Sequence, residues 1–136
     1  MSDLTLGKEI FVVEIPVRWG DQDANHHVNN VSYFRYLEEA RVQWMMQKNV
    51  MELSPVAVTA GATFLKSIQY PATLLVTVEI GEVGKRSITV THRIIDAADT
   101  SVCYAEGYAK LVWVDPGVGK AVPLPERLLS QLKLPK

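Results

Sequence analysis

Six side chains with chemical potential fall within one ten-residue stretch: Asp21, Asp23, His26, His27, Asn29 and Asn30. An ordinary carboxylate is ionised at neutral pH, so an aspartate here can take a proton from water or attack an electrophile itself. The residues leave those two roles open. An apolar, helix-like pattern follows at once. Its first turn has backbone N–H groups without intrahelical partners and a partial positive charge, both suited to a developing oxyanion. Each residue also has a plainer reading. Asp21 and Asp23 can be turn residues, because aspartate bonds to nearby backbone. Asn29 and Asn30 can be helix caps. Histidine and carboxylate suit zinc as well, but adjacent histidines seldom point at one ion, and His92 is the one other histidine in the chain. No metal site is expected. His92 lies on the apolar side of a strand pattern and reads as a core histidine, and Cys103 reads as a small hydrophobe.

The flanking pattern predicts the elements that must hold this stretch. Ile10 to Trp19 alternates, with Phe11, Val13, Ile15, Val17 and Trp19 on one side, so it reads as a half-buried strand. Pro16 cannot donate to a ladder and places that strand at an edge, or its own nitrogen on an unpaired side. Tyr33, Tyr36, Leu37, Ala40 and Trp44 recur at helical spacing, and no glycine or proline breaks the run up to Asn49. Asn29 or Asn30 is the natural N-cap. After Pro55 the period returns to two. Residues 56–68, 74–83, 87–95 and 102–114 read as strands with short connections, hence antiparallel. The stretch from Pro123 to Leu132 can form a short terminal helix. One helix and one antiparallel sheet must bury their apolar faces together, which gives an α+β domain.

The 136 residues fit one domain, 1–136, long enough for a hydrophobic core without disulfide or metal support. A formal net charge of −1 gives no reason to expect nucleic acid or an anionic membrane as partner. A charged ligand would have to meet a local group of bases. The start of the chain lacks the basic and apolar regions of a signal peptide, and no run approaches the roughly 20 apolar residues that span a bilayer. With a single cysteine, a cytoplasmic protein is expected.

Residues 18–41, Arg-Trp-Gly-Asp-Gln-Asp-Ala-Asn-His-His-Val-Asn-Asn followed by Val-Ser-Tyr-Phe-Arg-Tyr-Leu-Glu-Glu-Ala-Arg, carry a more specific signal. The stretch resembles the signature of the 4-hydroxybenzoyl-CoA thioesterase-like branch of the hotdog superfamily. That signature has an R-x-x-D-x-D opening, a His-Val-Asn-Asn step, then Tyr-x-x-Tyr and Glu-x-x-Arg in the helix. Gly84-Lys85-Arg86-Ser87 is similar to the family's glycine-to-serine turn. The resemblance implies a hotdog fold: a five-stranded antiparallel sheet wrapped around a long central helix. It also implies a homodimer or homotetramer, with sheets joined edge to edge and active sites at the dimer interface. The implied substrate is an acyl-CoA thioester, hydrolysed to a free carboxylic acid and CoA, with no further cofactor.

The same resemblance assigns positions. Asp23 matches the reactive carboxylate, and the Asn30 backbone N–H matches the oxyanion donor. His27 and Asn29 match the conserved step and can orient carboxylate, water or thioester. His26 stands where relatives commonly have glycine. Lys66, Lys85 and Arg86 are candidates for the CoA phosphates, Ser87 for the pantetheine arm, and Tyr33 for the pocket wall. An acyl-carrier-protein thioesterase and a non-catalytic acyl-thioester-binding protein are the alternatives; Asp23 speaks against the inert one.

Overall fold

The structure, a computed structural model, describes residues 9–50 and 54–131. Where the sequence alternates, strands form, and they are named here in chain order. They are β1 (Glu9–Pro16), β2 (Ser54–Phe64), β3 (Thr73–Val83), β4 (Ser87–Asp96), β5 (Cys103–Asp115) and a two-residue β6 (Lys120–Ala121). Five of them form one antiparallel sheet in the order β1-β3-β4-β5-β2, and β6 adds to β5. Of the two placements that Pro16 allowed, the edge is the one observed for β1; β2 is the other edge. Between β1 and β2 runs the helix α1 (Asn30–Gln47), and a short α2 (Glu126–Gln131) follows β6. This is the hotdog fold that the helix signature implied, with the small sixth strand as an addition.

The core lies between α1 and the sheet. Tyr33, Tyr36, Leu37, Ala40 and Trp44 are all buried, as their spacing predicted. They face Ile15 of β1, Val76 and Val78 of β3, Val90 and Ile94 of β4, and Ala105, Ala109 and Trp113 of β5. Burial of each large apolar side chain is worth roughly 1.5–3 kcal/mol, more than any single cap, so packing rather than propensity holds α1 in place. Its approach to the sheet needs Gly107. A Cβ at that position would lie 2.6 Å from Leu37 Cδ1 and 3.0 Å from the Gly61 carbonyl oxygen. Two sequence expectations shift. The first strand stops at Pro16, and Trp19 enters a 3-10 turn (Trp19–Asp21) with its side chain 73% exposed. The second strand leaves the sheet at Phe64 rather than running on to Ile68. No described helix is long and apolar enough to cross a membrane.

His92 is buried on the helix side of β4, as its place in the alternation predicted. There the β3–β4 ladder is stitched by side chains. His92 Nδ1 lies 2.9 Å from the Thr77 carbonyl, and the Arg93 N–H donates to Thr77 Oγ1 at 2.9 Å. A carbonyl only accepts, so Nδ1 carries the proton of the neutral ring. Burial pushes the His92 pKa down to about 4, against the pull of the Thr77 carbonyl and with a smaller push from the Arg41 charge. Between pH 6.5 and 4 the unfolded chain therefore binds a proton that the folded chain refuses. Stability should fall as pH drops through that window, by about 3 kcal/mol in total from this residue. Urea denaturation across the window checks this: the decline should be distinctly shallower in His92→Gln, which keeps a donor for Thr77 but does not titrate.

Candidate active site

The site is assembled by the short chain segment between β1 and α1. Asp21 organises it. Its Oδ2 accepts from the Arg18 N–H at 3.0 Å and from the Tyr36 hydroxyl at 2.7 Å. Its backbone carbonyl accepts from the Asn29 N–H at 2.9 Å. Burial first, and then the neighbouring carboxylate, raise the Tyr36 pKa well above the ordinary tyrosine value, so the hydroxyl stays a donor. Asp21 is thus the structural member of the Asp-x-Asp pair.

Residues 22–28 fold into a small hairpin. Gln22 and Val28 form an isolated antiparallel bridge. Inside it the Asp23 N–H donates to the His27 carbonyl at 2.8 Å and the His26 N–H to the Asp23 carbonyl at 3.0 Å. His26 adopts φ 63°, the left-handed region where glycine costs least and histidine is one of the better-tolerated substitutes. The histidine thus occupies a backbone geometry that glycine would take freely. Asp23 Oδ1 accepts from the Asn25 N–H at 2.8 Å and, more weakly, from the His27 N–H at 3.4 Å. Oδ2 takes no hydrogen bond from the described residues. One oxygen is fixed and the other is open.

Asn29 is the N-cap of α1. Its side chain accepts from the Val31 N–H at 2.8 Å, and its carbonyl accepts from the Ser32 N–H at 2.8 Å. Asn30 is therefore the first helical residue. Its N–H precedes the first intrahelical donor and meets no acceptor among the described residues.

Asp23, His27, Asn30 and Tyr33 line one side of a cavity of about 280 Å³, with Phe64, Leu65, Lys66 and Ser67 on the other. The far wall is chain that has just left β2. The Leu65 and Lys66 N–H groups both donate to the Tyr104 carbonyl, at 2.8 and 3.1 Å. The Tyr33 hydroxyl donates to the Lys66 carbonyl at 2.9 Å and accepts from the Ile68 N–H at 3.2 Å. The Ile68 carbonyl in turn accepts from the Val28 N–H at 2.9 Å, tying the two walls together.

Residues 17–132 match the thioesterase-like superfamily. The chain belongs to that family. Among solved structures it is similar to PA2801, a candidate thioesterase of Pseudomonas aeruginosa. The two are 38% identical over 90% of this chain and 97% of the other, with a TM-score of 0.86. It is also similar to a candidate acyl-CoA thioesterase of Xanthomonas campestris, at 34% identity, 85% and 99% coverage, and a TM-score of 0.76. A thioesterase of Thermus thermophilus complexed with coenzyme A and zinc is 25% identical, with 93% and 95% coverage and a TM-score of 0.82.

Within this thioesterase-family chain, Asp23, His27, Asn30, Tyr33 and Lys66 come together. The Asn29 side chain is committed to its cap. Lys85, Arg86 and Ser87 lie elsewhere. Ser87 pairs with Val112 on β5, and Val112 with Val56 on β2, whereas Phe64 pairs with Ala105 and Ala105 with Ile94. That is seven residues along β4, about 23 Å. Ser87 instead lines a separate hollow of about 300 Å³ with Glu82 and Lys110. Val28, inside the His-Val-Asn-Asn step, also lines the cavity, as do Phe64, Leu65 and Ser67, which no sequence motif marks. The one available signal was the polar Lys66-Ser67 step interrupting an otherwise strand-like run. Among the described residues, no group of three or more His, Cys, Asp or Glu side chains converges to hold a metal.

Removing the cap gives a check on how the site is held. Asn29→Ala should cost about 1 kcal/mol. Thermal unfolding should then show Tm lower by about 4 °C.

Proposed function

We propose that this chain hydrolyses an acyl-CoA thioester to a free carboxylic acid and CoA, with Asp23 as the reacting carboxylate. The observation that carries the reading is the anchored Asp23: Oδ1 is held by the Asn25 N–H, Oδ2 takes no bond from the described residues, and Asn30, whose N–H meets no acceptor among them, lines the same cavity. As general base, Asp23 takes a proton from water while the water oxygen attacks the thioester carbonyl carbon. As nucleophile, Oδ2 attacks that carbon itself and water then cleaves the resulting anhydride. Either way the carbonyl oxygen gains negative charge, and collapse of the tetrahedral intermediate expels the CoA thiolate. The Asn30 N–H, at the positive end of α1, is the donor for that oxyanion, a contribution worth roughly 3 kcal/mol in a closed site.

His27 serves mainly through its backbone, which brackets Asp23 from both sides. Asn29 fixes the turn that presents Asn30. Lys66 and Tyr33 line the cavity, Lys66 as a candidate base for a CoA phosphate and Tyr33 as part of the wall.

The site is completed by a second copy. Edge strand β2 exposes Val56, Val58 and Phe64, and α1 exposes Phe34 beside it, each at least 39% accessible. Phe34 and Phe64 stack edge to face. An apolar edge of that kind is an aggregation risk unless it is paired. Antiparallel pairing of two β2 strands brings the Ser87 end of one sheet toward the Phe64 end of the other. Lys85, Arg86 and Ser87 would then act at the neighbouring subunit's site in a dimer or tetramer. A cytoplasmic location fits the free, half-buried Cys103.

The test is thiol release from short, long and aromatic acyl-CoAs by the wild type and Asp23→Asn. The variant, still folded, should be slower by about 100-fold or more. Equal rates would remove Asp23 from the mechanism. Binding of acyl-CoA without thiol release would favour a binding protein or a carrier-protein donor.

A further inference from the structure

We infer that the two tyrosines of the Tyr-x-x-Tyr step are positioning residues with separate tasks, Tyr33 fixing the Lys66 wall of the site and Tyr36 fixing the Asp23 wall. The inference rests on the thioesterase reading and deepens it. Both rings are buried, at 2% and 3% exposure. The hydroxyls are what distinguish them. They lie three residues apart on one helix, yet Tyr33 bonds to the stretch that forms one cavity wall and Tyr36 to Asp21, on the segment that leads into Asp23.

The Tyr33 hydroxyl spans residues 66–68, donating to the Lys66 carbonyl and accepting from the Ile68 N–H. This stretch has left the β2–β5 ladder, whose last pair is Phe64 with Ala105. The hydroxyl takes over where the sheet stops. It thereby sets where Lys66 and Ser67 stand, and neither of these carries the reaction. The Tyr36 hydroxyl bonds instead to Asp21 Oδ2. Asp21 is two residues from Asp23, and its carbonyl holds the Asn29 N–H, next to Asn30. The Tyr36 hydroxyl therefore acts on the wall that carries the reacting groups.

The two walls should respond differently in kinetics. A wall that holds the substrate arm equally in ground and transition state changes KM, whereas misplacing the base or the oxyanion donor changes kcat. A tyrosine with a merely structural role would lower Tm and leave both constants of the folded enzyme alone.

The experiment is steady-state kinetics of Tyr33→Phe and Tyr36→Phe on the best acyl-CoA of the panel, with Tm recorded for each. Tyr33→Phe should raise KM by about fivefold or more while kcat stays within about twofold. Tyr36→Phe should lower kcat by about tenfold or more while KM stays within about twofold. A reversed split, parallel loss of both constants in both variants, or a lower Tm with unchanged kinetics would each overturn the inference. Should Tyr33→Phe not fold, the Tyr36→Phe split decides alone. Should the wild type release no thiol from any acyl-CoA, the thioesterase reading falls first. Calorimetric binding of CoA then decides the inference: weakening in Tyr33→Phe alone sustains it, and equal affinity in both variants overturns it.

Discussion

A single carboxylate governs how the segment after β1 meets the helix. Asp21 accepts from the backbone before it, from the hydroxyl of Tyr36 on α1 and, through its own carbonyl, from the cap residue of that helix. A hydroxyl donating to a carboxylate makes a charge-assisted bond, stronger than a neutral one. Its geometry fixes the distance between the chain leaving β1 and the first turn of α1. The Asp23 hairpin lies between those two fixed points. Take the Asp21–Tyr36 bond away and the hairpin keeps its internal bonds, but its reference to the Asn30 amide then rests on backbone bonds alone, from Asn29 N–H to the Asp21 carbonyl and from Val28 N–H to the Ile68 carbonyl.

That reference has value only because α1 is itself immobile. The helix rests on the sheet through side chains that are almost wholly buried, and Gly107 lets Leu37 come closer than any larger residue would permit. The side-chain stitching of Thr77 with His92 belongs to the same core and carries a cost, because the buried imidazole must remain neutral. A helix held on a sheet by buried apolar side chains, with its Tyr33 and Tyr36 hydroxyls bonded to the flanking segments, leaves the helix N-terminus as the natural place for chemistry. The partial charge of the N-terminus and the anchored carboxylate then act on the same small volume.

Much of this was legible in the residues. Period-two stretches gave the strands, Pro16 gave an edge, and the spacing of Tyr33, Leu37, Ala40 and Trp44 gave the buried helix face. Asn29 was readable as a cap because its type and place in the pattern coincide. What the sequence hid depends on three-dimensional register. Apart from the polar Lys66-Ser67 step, nothing local announces that residues 65–68 leave the sheet, since Leu65 and Ile68 suit a strand as well as a cavity wall. The decision is made by Tyr33, more than thirty residues earlier, and by the Tyr104 carbonyl. Trp19 continued an alternation on paper, but Asp21 closes a turn beneath it and turns its ring to solvent. Lys85, Arg86 and Ser87 failed to join the site for a related reason. Their family-like motif is local, whereas the distance to Asp23 is a property of strand pairing.

The placement of those three residues says something about the design as a whole. A carboxylate as accessible as Asp23 works poorly in open water, where its charge is screened and the oxyanion finds solvent donors instead. The cavity beside it is shallow within one chain and rimmed by apolar surface at Phe34 and Phe64. The same apolar rim that makes the lone chain's edge unfavourable in water would, once covered, exclude water from the reaction. In the proposed dimer, burial of that edge and closure of the site would therefore be one event. The phosphate-binding candidates at the far end of the sheet have a use only after it has happened. On the proposed reading a single chain would hold the reacting groups in register, and a second copy paired along β2 would provide the low-dielectric surroundings that let them act.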